Sequence, residues 1–425
     1  MNNKQTEWFG NIPTSWSKCR IGSLYKLRNT KVSDKKYVPL SVTKEGVLPQ
    51  LSSVAKSNAH DDRKLIKVGD FAINSRSDRR GSCGISKYEG SVSLINTILE
   101  PREMMSPQYY DWLFHTIQFS DEFYKWGHGI VDDLWTTGWQ DMKKIEIPCP
   151  PLKIQEKIAN FLDSKCSEID SLVVDIQKEI SILEEYKMSV VTESVTKGIK
   201  PNVELKNSGL DWINKIPKEW SKSKVKYLFS SGKGLSITKD NLVTEGIPVI
   251  NYGQIHSKEN TRVELSNTLL RYIPKSFIKK ATNSQVNQYD FVFADTSEDY
   301  DGCGNCVYKR DDSITYAGYH TIVLHSINST DNRYLAYLFT TDLWREQIRT
   351  KVSGIKVLSI TQQIILNSSL ILPPFEAQKE IADYLDCKCT EIEKVISVKQ
   401  SQLELLAEYK KSLIYEYVTG KKEVI

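Results

Sequence analysis

Apolar residues recur every seven positions along two stretches of this chain. Leu162, Ile169, Ile176, Leu183 and Val190 form one row, with Cys166, Val173 and Ile180 four residues on. Leu385, Ile392, Leu406 and Leu413 repeat the row in the second stretch, where Lys399 interrupts it. A heptad seam predicts long helices that bury one stripe against a partner helix. Each stretch opens on a Pro-Pro pair, which suits a helix start because a first-turn residue needs no N–H. No Pro or Gly occurs in the 45 residues that follow either pair. The predicted helices cover 150–196 and 373–419, each roughly 65 Å long at the usual rise per residue.

The two helices are copies of one another. Pro150, Pro151, Gln155, Ile158, Ala159, Leu162, Asp163, Lys165, Cys166, Glu168 and Ile169 recur at an offset of 223 as Pro373, Pro374, Gln378, Ile381, Ala382, Leu385, Asp386, Lys388, Cys389, Glu391 and Ile392. A second repeat marks where each unit begins. Trp8 to Trp16 and Trp212 to Trp220 both read W-x-x-x-I-P-x-x-W, at an offset of 204, so the second folded region is longer by 19 residues. A repeat of this length is a duplicated domain-sized unit rather than a short solenoid repeat. The natural partner of each helix is the other copy.

Between these markers the period shortens to that of strands. In the first region Tyr37–Val42, Gly69–Asn74 and Val92–Leu99 read as strands, with a turn at Thr43–Gly46 and a helix over Tyr109–Phe119. In the second, Ile247–Tyr252 and Tyr289–Ala294 read as strands and Tyr334–Phe339 as the matching helix. Gly129-Ile130 and Gly354-Ile355 occupy the same place before a closing strand. The polar stretch 197–210 reads as a linker. The boundaries expected are 1–149, 150–206, 207–372 and 373–425. The scaffold is kept between copies while the loops diverge: Ser75-Arg76-Ser77-Asp78-Arg79-Arg80-Gly81 in one, Asp295-Thr296-Ser297-Glu298-Asp299-Tyr300-Asp301-Gly302 in the other.

This order resembles the specificity subunit of type I restriction–modification systems. The resemblance spans essentially the whole chain. It is carried by D-W-I-N-K-I-P-K-E-W from Asp211, G-I-P-V-I-N-Y-G-Q-I from Gly246, D-T-S-E-D-Y from Asp295, and the P-P-x-x-x-Q-x-x-I-A-x-x-L-D helix starts at Pro150 and Pro373. The resemblance implies an α+β fold: two target-recognition domains of mixed sheet and helices, separated by two long helices in an antiparallel coiled coil, with a pseudo-two-fold internal repeat. It implies that each domain reads one half of a split site in double-stranded DNA, and that the helices set the spacing and dock two methyltransferase subunits, through Gln155, Leu162, Ile169, Gln378, Leu385 and Ile392. Motor–nuclease restriction subunits would complete the complex. Catalysis would lie elsewhere: S-adenosylmethionine, ATP and Mg2+ would be bound by partner subunits, none by this chain.

Charge agrees with that division. Net charge is +4, but the two helical segments carry −4 and −2, leaving +10 on the folded regions. Basic folded regions suit a polyanion and acidic helices suit protein partners. Hydrophobic content of 40% and charged content of 26% describe an ordinary globular chain. No apolar run reaches the ~20 residues of a membrane span. The opening MNNKQTEWFG lacks a signal-peptide core, and eight scattered Cys fit reduced thiols. A cytoplasmic location without membrane contact is the expectation.

Motifs for chemistry are weak. Leu372-Pro373-Pro374-Phe375 and Cys149-Pro150-Pro151-Leu152 lack the amide or carboxylate of an adenine-methyltransferase box, and no G-x-x-x-x-G-K-[ST] loop occurs. Cys303-Gly304-Asn305-Cys306 is half a zinc site without its other half, and His320 and His325 read as structural. Gly232-Lys233-Gly234 reads as a DNA-facing turn. For DNA the sharpest candidates are Asn74, Arg76, Ser77, Arg79 and Arg80, since Arg forks onto the two acceptors of guanine and neutralises phosphates. The acidic counterpart offers Thr296, Ser297 and Glu298, which suit a cytosine amino group or mixed edges. Lys44, Tyr252, Gln254 and Lys356 join them near strand ends. The alternatives are a structural coiled-coil protein, or the specificity subunit of a methylation-only system.

Overall fold

Two helices, Leu152–Lys197 and Phe375–Val418, run for 46 and 44 residues. Each begins directly after its Pro-Pro pair and ends at a glycine in left-handed backbone, Gly198 at φ +81° and Gly420 at φ +70°. Only glycine enters that region freely, so both helices stop where the sequence supplies one. The computed structural model describes residues 8–50, 61–129, 135–278, 283–327 and 330–424.

The chain divides into two compact units, and both long helices are shared between them. Residues 1–177 with 399–425 form the first and 178–398 the second. Lys399, which interrupts the heptad row, is where the C-terminal helix changes unit. Inside the first unit the helices run antiparallel. The Phe161 and Tyr417 rings lie 4.5 Å apart, Asp170 accepts from Lys410 at 2.6 Å, and Lys157 donates to the Val424 carbonyl at 2.7 Å. Inside the second unit Lys187 pairs with Glu393 at 3.2 Å and Lys200 with Glu380 at 3.3 Å, in the same sense.

Each unit is built on a four-stranded antiparallel sheet with one strand order. In the first the order is Tyr25–Arg28, Asn96–Pro101, Phe71–Asn74, Cys83–Ile85. In the second it is Phe229–Lys233, Thr321–Ser326, Phe291–Ala294, Cys306–Tyr308. Two short helices cover one face: Pro107–Phe114 and Ile117–Lys125 in the first unit, Asn332–Thr340 and Asp342–Arg349 in the second. The sheet meets these helices through aromatic pairs at the same separation, Phe71–Phe114 and Phe291–Phe339, both at 5.0 Å. The other face differs. The first unit places there a three-stranded sheet and the hairpin Leu40–Thr43/Gly46–Pro49. The second uses a four-stranded sheet in which Ile247–Ile250 and Thr315–Ala317 run parallel.

The W-x-x-x-I-P-x-x-W segment docks on the end of a long helix in each unit. A β-carbon at Gly420 would lie 2.4 Å from Pro13, with Trp16 next, and one at Gly198 would meet Trp220 at 3.5 Å. The helix-terminating glycines are therefore seats for the Trp segments, and the two repeats are one structural feature.

Several elements differ from the sequence reading. Val92–Leu99 is two strands, Gly90–Ser93 and Asn96–Pro101, belonging to different sheets and joined by a tight turn at Leu94-Ile95. Tyr109–Phe119 is two helices. Thr116 caps the second by accepting from the Phe119 N–H at 3.2 Å, a local alternative that ends the first. The strand expected from Tyr37 begins at Leu40. Half of the linker is a strand, Leu205–Leu210, paired with Ile213–Pro217. Gly232 and Lys233 lie in a sheet strand rather than a turn, and Gly232 is small because the Asn283 carbonyl presses on it, 2.0 Å from where a β-carbon would be. Of the Gly129-Ile130 pair, Ile130 lies outside the described residues. Among the described residues no helix is long and apolar enough to cross a membrane.

Candidate nucleic-acid interface

The loop after the strand Phe291–Ala294 leaves the sheet edge and is held from three sides. Thr296–Ser297 pairs antiparallel with Leu358–Ser359, and the Ile360 N–H donates to the Asp295 carbonyl at 2.7 Å. From below, the helix Asp342–Arg349 grips the far half of the loop. Arg345 is only 2% exposed, and its guanidinium donates to the Cys303 carbonyl at 3.2 Å, to Asn305 Oδ1 at 2.7 Å and to the Asp301 carbonyl. Burial pulls this guanidinium down to about 10, still charged at neutral pH. Arg349 adds a bond to Asp301 O at 3.1 Å and lies over the Tyr300 ring, whose hydroxyl donates to Glu346 at 2.9 Å. From the third side His256 accepts from Asn305 Nδ2 at 3.1 Å and donates from Nε2 to the Thr296 carbonyl at 2.8 Å, which assigns the neutral Nε2–H tautomer.

This framework sorts the candidates. Ser297 is buried, and its hydroxyl donates to the Asp299 carbonyl at 2.7 Å, closing the turn. Gln254 caps the helix Tyr252–Ile255, accepting from the Asn251 amide groups at 3.3 and 3.2 Å. Ser297 thus shapes the loop from inside, while Gln254 holds its own helix start. Thr296 is half-buried, while Glu298 and Lys356 are exposed. Tyr252 packs edge-on against Tyr319, 5.6 Å away, and His320, 5.4 Å away. His320 in turn reaches Asp295 at 3.2 Å. The sequence reading passed over His320 as structural; it is exposed, in left-handed backbone at φ 55°, beside the loop. His325, by contrast, is tied to buried Asp290 at 2.7 Å. Cys303 and Cys306 are buried, and the Cys303 thiol donates to Asp299 O at 3.5 Å.

In the first unit the corresponding loop, residues 75–82, is basic. Asn74 is buried; its side chain accepts from the Arg76 N–H at 3.1 Å and its carbonyl from the Tyr124 hydroxyl at 3.2 Å. Ser77–Arg79 is a single 3₁₀ turn, held by the Ser77 N–H on the Trp135 carbonyl at 3.0 Å. Arg80 stacks over the Tyr124 ring at 5.2 Å and faces Asp121 at 3.3 Å, and Arg79 faces Asp78 at 3.5 Å. Such exposed pairs are worth little and exchange readily for a phosphate. Arg76 is half-buried and Arg79 and Arg80 exposed. The hairpin that carries exposed Lys44 at its turn rests on the strand that follows this loop: a β-carbon at Gly84 would stand 2.8 Å from the Gly46 backbone.

The helix residues expected to dock partners do something else. Gln155 and Gln378 are buried. Gln155 accepts from the Ser106 N–H at 2.8 Å and donates to the Pro150 carbonyl at 2.8 Å; Gln378 accepts from the Asp331 N–H at 3.1 Å and donates to the Pro373 carbonyl at 2.9 Å. Each Gln thus fastens a long-helix start to the N-cap of a domain helix. Leu162, Ile169, Leu385 and Ile392 are buried in their own units. They recur because the fold needs them. The apolar helix positions that recur and stay exposed are Leu172 with Val395, Ile182 with Leu405, and Tyr186 with Tyr409.

A family model described as the type I restriction modification DNA specificity domain matches residues 217–399. The chain is 23% identical over 429 residues to the type I restriction enzyme MjaVIII specificity subunit of Methanocaldococcus jannaschii, covering 97% of this chain and 94% of that one. It is 22% identical to the putative type I restriction enzyme MjaX specificity subunit of the same organism, over 100% of this chain and 97% of that one. Among solved structures its fold is similar to a chain from a study of complex assembly and conformational transition of the type I R-M system, with a TM-score of 0.73 at 13% identity, covering 97% of this chain and all of that one. It is also similar to the HsdS subunit from Thermoanaerobacter tengcongensis, with a TM-score of 0.56 at 16% identity over 98% of this chain. The duplicated sheet, the unlike loops and these end-to-end similarities liken the chain, along its whole length, to type I restriction–modification DNA specificity subunits.

Proposed function

We propose that this chain reads a split DNA site, one half with each unit, and leaves the chemistry to subunits that it carries. The observation that bears the reading is the contrast between scaffold and loop. One strand order occurs twice, yet it displays Arg76, Arg79 and Arg80 in one unit and Thr296 and Glu298 in the other. Two frames with different tips suit two different half-sites. In the first unit the Arg residues serve guanine edges and phosphates, with Lys44 beside them; Asn74 and Ser77 hold the loop. In the second, Thr296, Glu298, Tyr252 and Lys356 face the DNA, with Ser297 and Gln254 behind.

Two methyltransferase subunits dock on the long helices, on Leu172, Leu405 and Tyr409 in the first unit and on Ile182, Tyr186 and Val395 in the second. These sets exchange under the 223-residue repeat, which suits two identical partners. S-adenosylmethionine, and the ATP and Mg2+ of a motor–nuclease subunit, belong to those partners, in a cytoplasmic complex. The test is binding of the assembled complex to duplex DNA across salt, with the host methylome read with and without the gene. Loss of one split methylated motif on deletion, and log K falling linearly with log salt, are expected. An unchanged methylome together with salt-insensitive binding overturns the reading.

A further inference from the structure

Beside the second recognition loop stands a narrow tip that its sequence motifs do not explain. Ser353 and Ser359 pair antiparallel, the Ser359 N–H donating to the Ser353 carbonyl at 2.8 Å, and residues 354–358 close the turn. Gly354 makes this possible: at φ +137° a β-carbon would stand 2.0 Å from the Val357 carbonyl. At the apex Ile355 is fully exposed and Val357 half exposed. Lys356 stands between them in sequence and Lys351 precedes the turn, both exposed.

Single apolar residues on a surface are ordinary. This pair differs in where it stands and how it is held. Leu358–Ser359 is the strand that pairs with Thr296–Ser297, so the tip is joined directly to the recognition loop. The tip is a tight turn closed by a single β-bridge, and the DNA major groove, about 12 Å wide, admits even a two-stranded β-ribbon. Exposed lysines next to exposed apolar side chains match a groove with phosphates along its walls and apolar groups on its floor. The apolar group that a major groove offers is the 5-methyl of thymine.

We propose that Ile355 and Val357 are specificity-determining residues of the second unit, which contact thymine methyl groups in the major groove while Lys356 neutralises a phosphate. This rests on the DNA-reading function proposed above. It accounts for the tip's composition and for the glycine beneath it.

The assembled complex is titrated against a duplex carrying the motif that it methylates, and against duplexes with each thymine of that motif replaced in turn by deoxyuridine. For the wild type, replacing any thymine that Ile355 or Val357 contacts should weaken binding about fourfold, the worth of one buried methyl group. Ile355→Ala should bind the thymine duplex more weakly by a similar factor and should no longer distinguish it from the deoxyuridine duplex altered at the thymine that Ile355 contacts. Its thermal stability should match the wild type, because the side chain packs against nothing. Lys356→Ala should weaken binding to all duplexes alike and flatten the salt slope by about one contact. Ile355→Ala discriminating thymine from deoxyuridine as the wild type does overturns the proposal, as does a second half-site without an A·T pair, in both cases with DNA reading intact. A wild-type complex that binds no duplex in a salt-dependent way overturns the DNA reading beneath it.

Discussion

The Tyr109 hydroxyl donates to the Val418 carbonyl at 2.7 Å, tying a helix of the first folded region to the end of the last helix across 309 residues of chain. In the second unit Tyr334 donates to the Val195 carbonyl at 3.0 Å. Val195 and Val418 are one position of the 223-residue repeat. Each carbonyl lies in the last turn of a long helix, where no intrahelical N–H reaches it. A domain thus holds the start of one long helix through Gln155 or Gln378 and the end of the other through Tyr109 or Tyr334.

Removing either hydroxyl should therefore loosen a long-range joint without disturbing the sheet. Tyr109→Phe leaves a buried carbonyl without a donor and should cost about 1–2 kcal/mol. The change should be read as a lower denaturant midpoint at unchanged slope. Tyr334→Phe, which also abandons the Ile371 carbonyl at 3.1 Å, should cost at least as much. Midpoints equal to wild type for both variants would show that these bonds hold nothing.

Arg345 supplies the second prediction. It is a buried cation whose donors go to the underside of one recognition loop, on Asp301, Cys303 and Asn305. Arg345→Met should strand those acceptors and cost about 2–4 kcal/mol. Arg345→Lys keeps the charge but not the fork. It should fold, and should relax methylation at the half-site read by the second unit while the other half-site stays strict. Long-read methylomes of the two strains decide it. Equal relaxation of both half-sites would mean a general loss of stability rather than misplacement of one loop.

The elements read correctly from sequence are those set by local rules. The long helices begin at Pro-Pro and end at Gly198 and Gly420, and a heptad row needs no knowledge of distant residues. The errors fall where a distant or competing partner decides. Leu94-Ile95 turns without Gly or Pro because its flanking strands join different sheets. Thr116 stops a helix by capping the next one. Gln155 recurs in the repeat and so read as a partner contact, but its partner is the Ser106 backbone. The same holds at the interface. That Asn74 and Ser297 face inward while His320 and Ile355 face outward depends on how the loops are pinned by Tyr124, Arg345 and Leu358. A hint lay in the Ala317-Gly318-Tyr319-His320 stretch between two strands, too short for a loop without left-handed backbone.

A buried carboxylate at the foot of each sheet gives a pH prediction. Asp70 binds Arg28 at 2.6 and 3.0 Å, while Asp290, at the matching place, binds His325 at 2.7 Å. The hydrogen bond that His325 donates to Asp290 raises its imidazole above the ordinary 6.5, with the Asn283 carbonyl adding to it and burial opposing. The folded state therefore holds this proton more tightly than the unfolded state. The stabilisation is complete below about pH 6.5 and is lost as pH rises through the raised folded value. Arg28 keeps its charge throughout, so the loss belongs to the second unit. Melting temperature should fall as pH rises above about 6.5 more steeply in the wild type than in His325→Gln. Parallel profiles would remove His325 as the source.

The recurring exposed helix positions predict a stoichiometry. If identical partners dock on repeat-related patches, one substitution should remove one partner and leave the other. Leu405→Asp places a charge among the first unit's exposed positions, with Leu172 and Tyr409, and Ile182→Asp does the same in the second, with Tyr186 and Val395. Both side chains are exposed, so the change should cost the free chain under about 0.5 kcal/mol. An apolar contact that buries a carboxylate without a partner costs several times more. Native mass spectrometry of the co-expressed complex should show two methyltransferase subunits on the wild type, one on either single variant and none on the double. Buried heptad residues make a poor control here, since Leu162→Asp or Leu385→Asp would unfold a unit and lose partners for a different reason. Full occupancy of the double variant would move the docking surface off these helices and onto the folded regions.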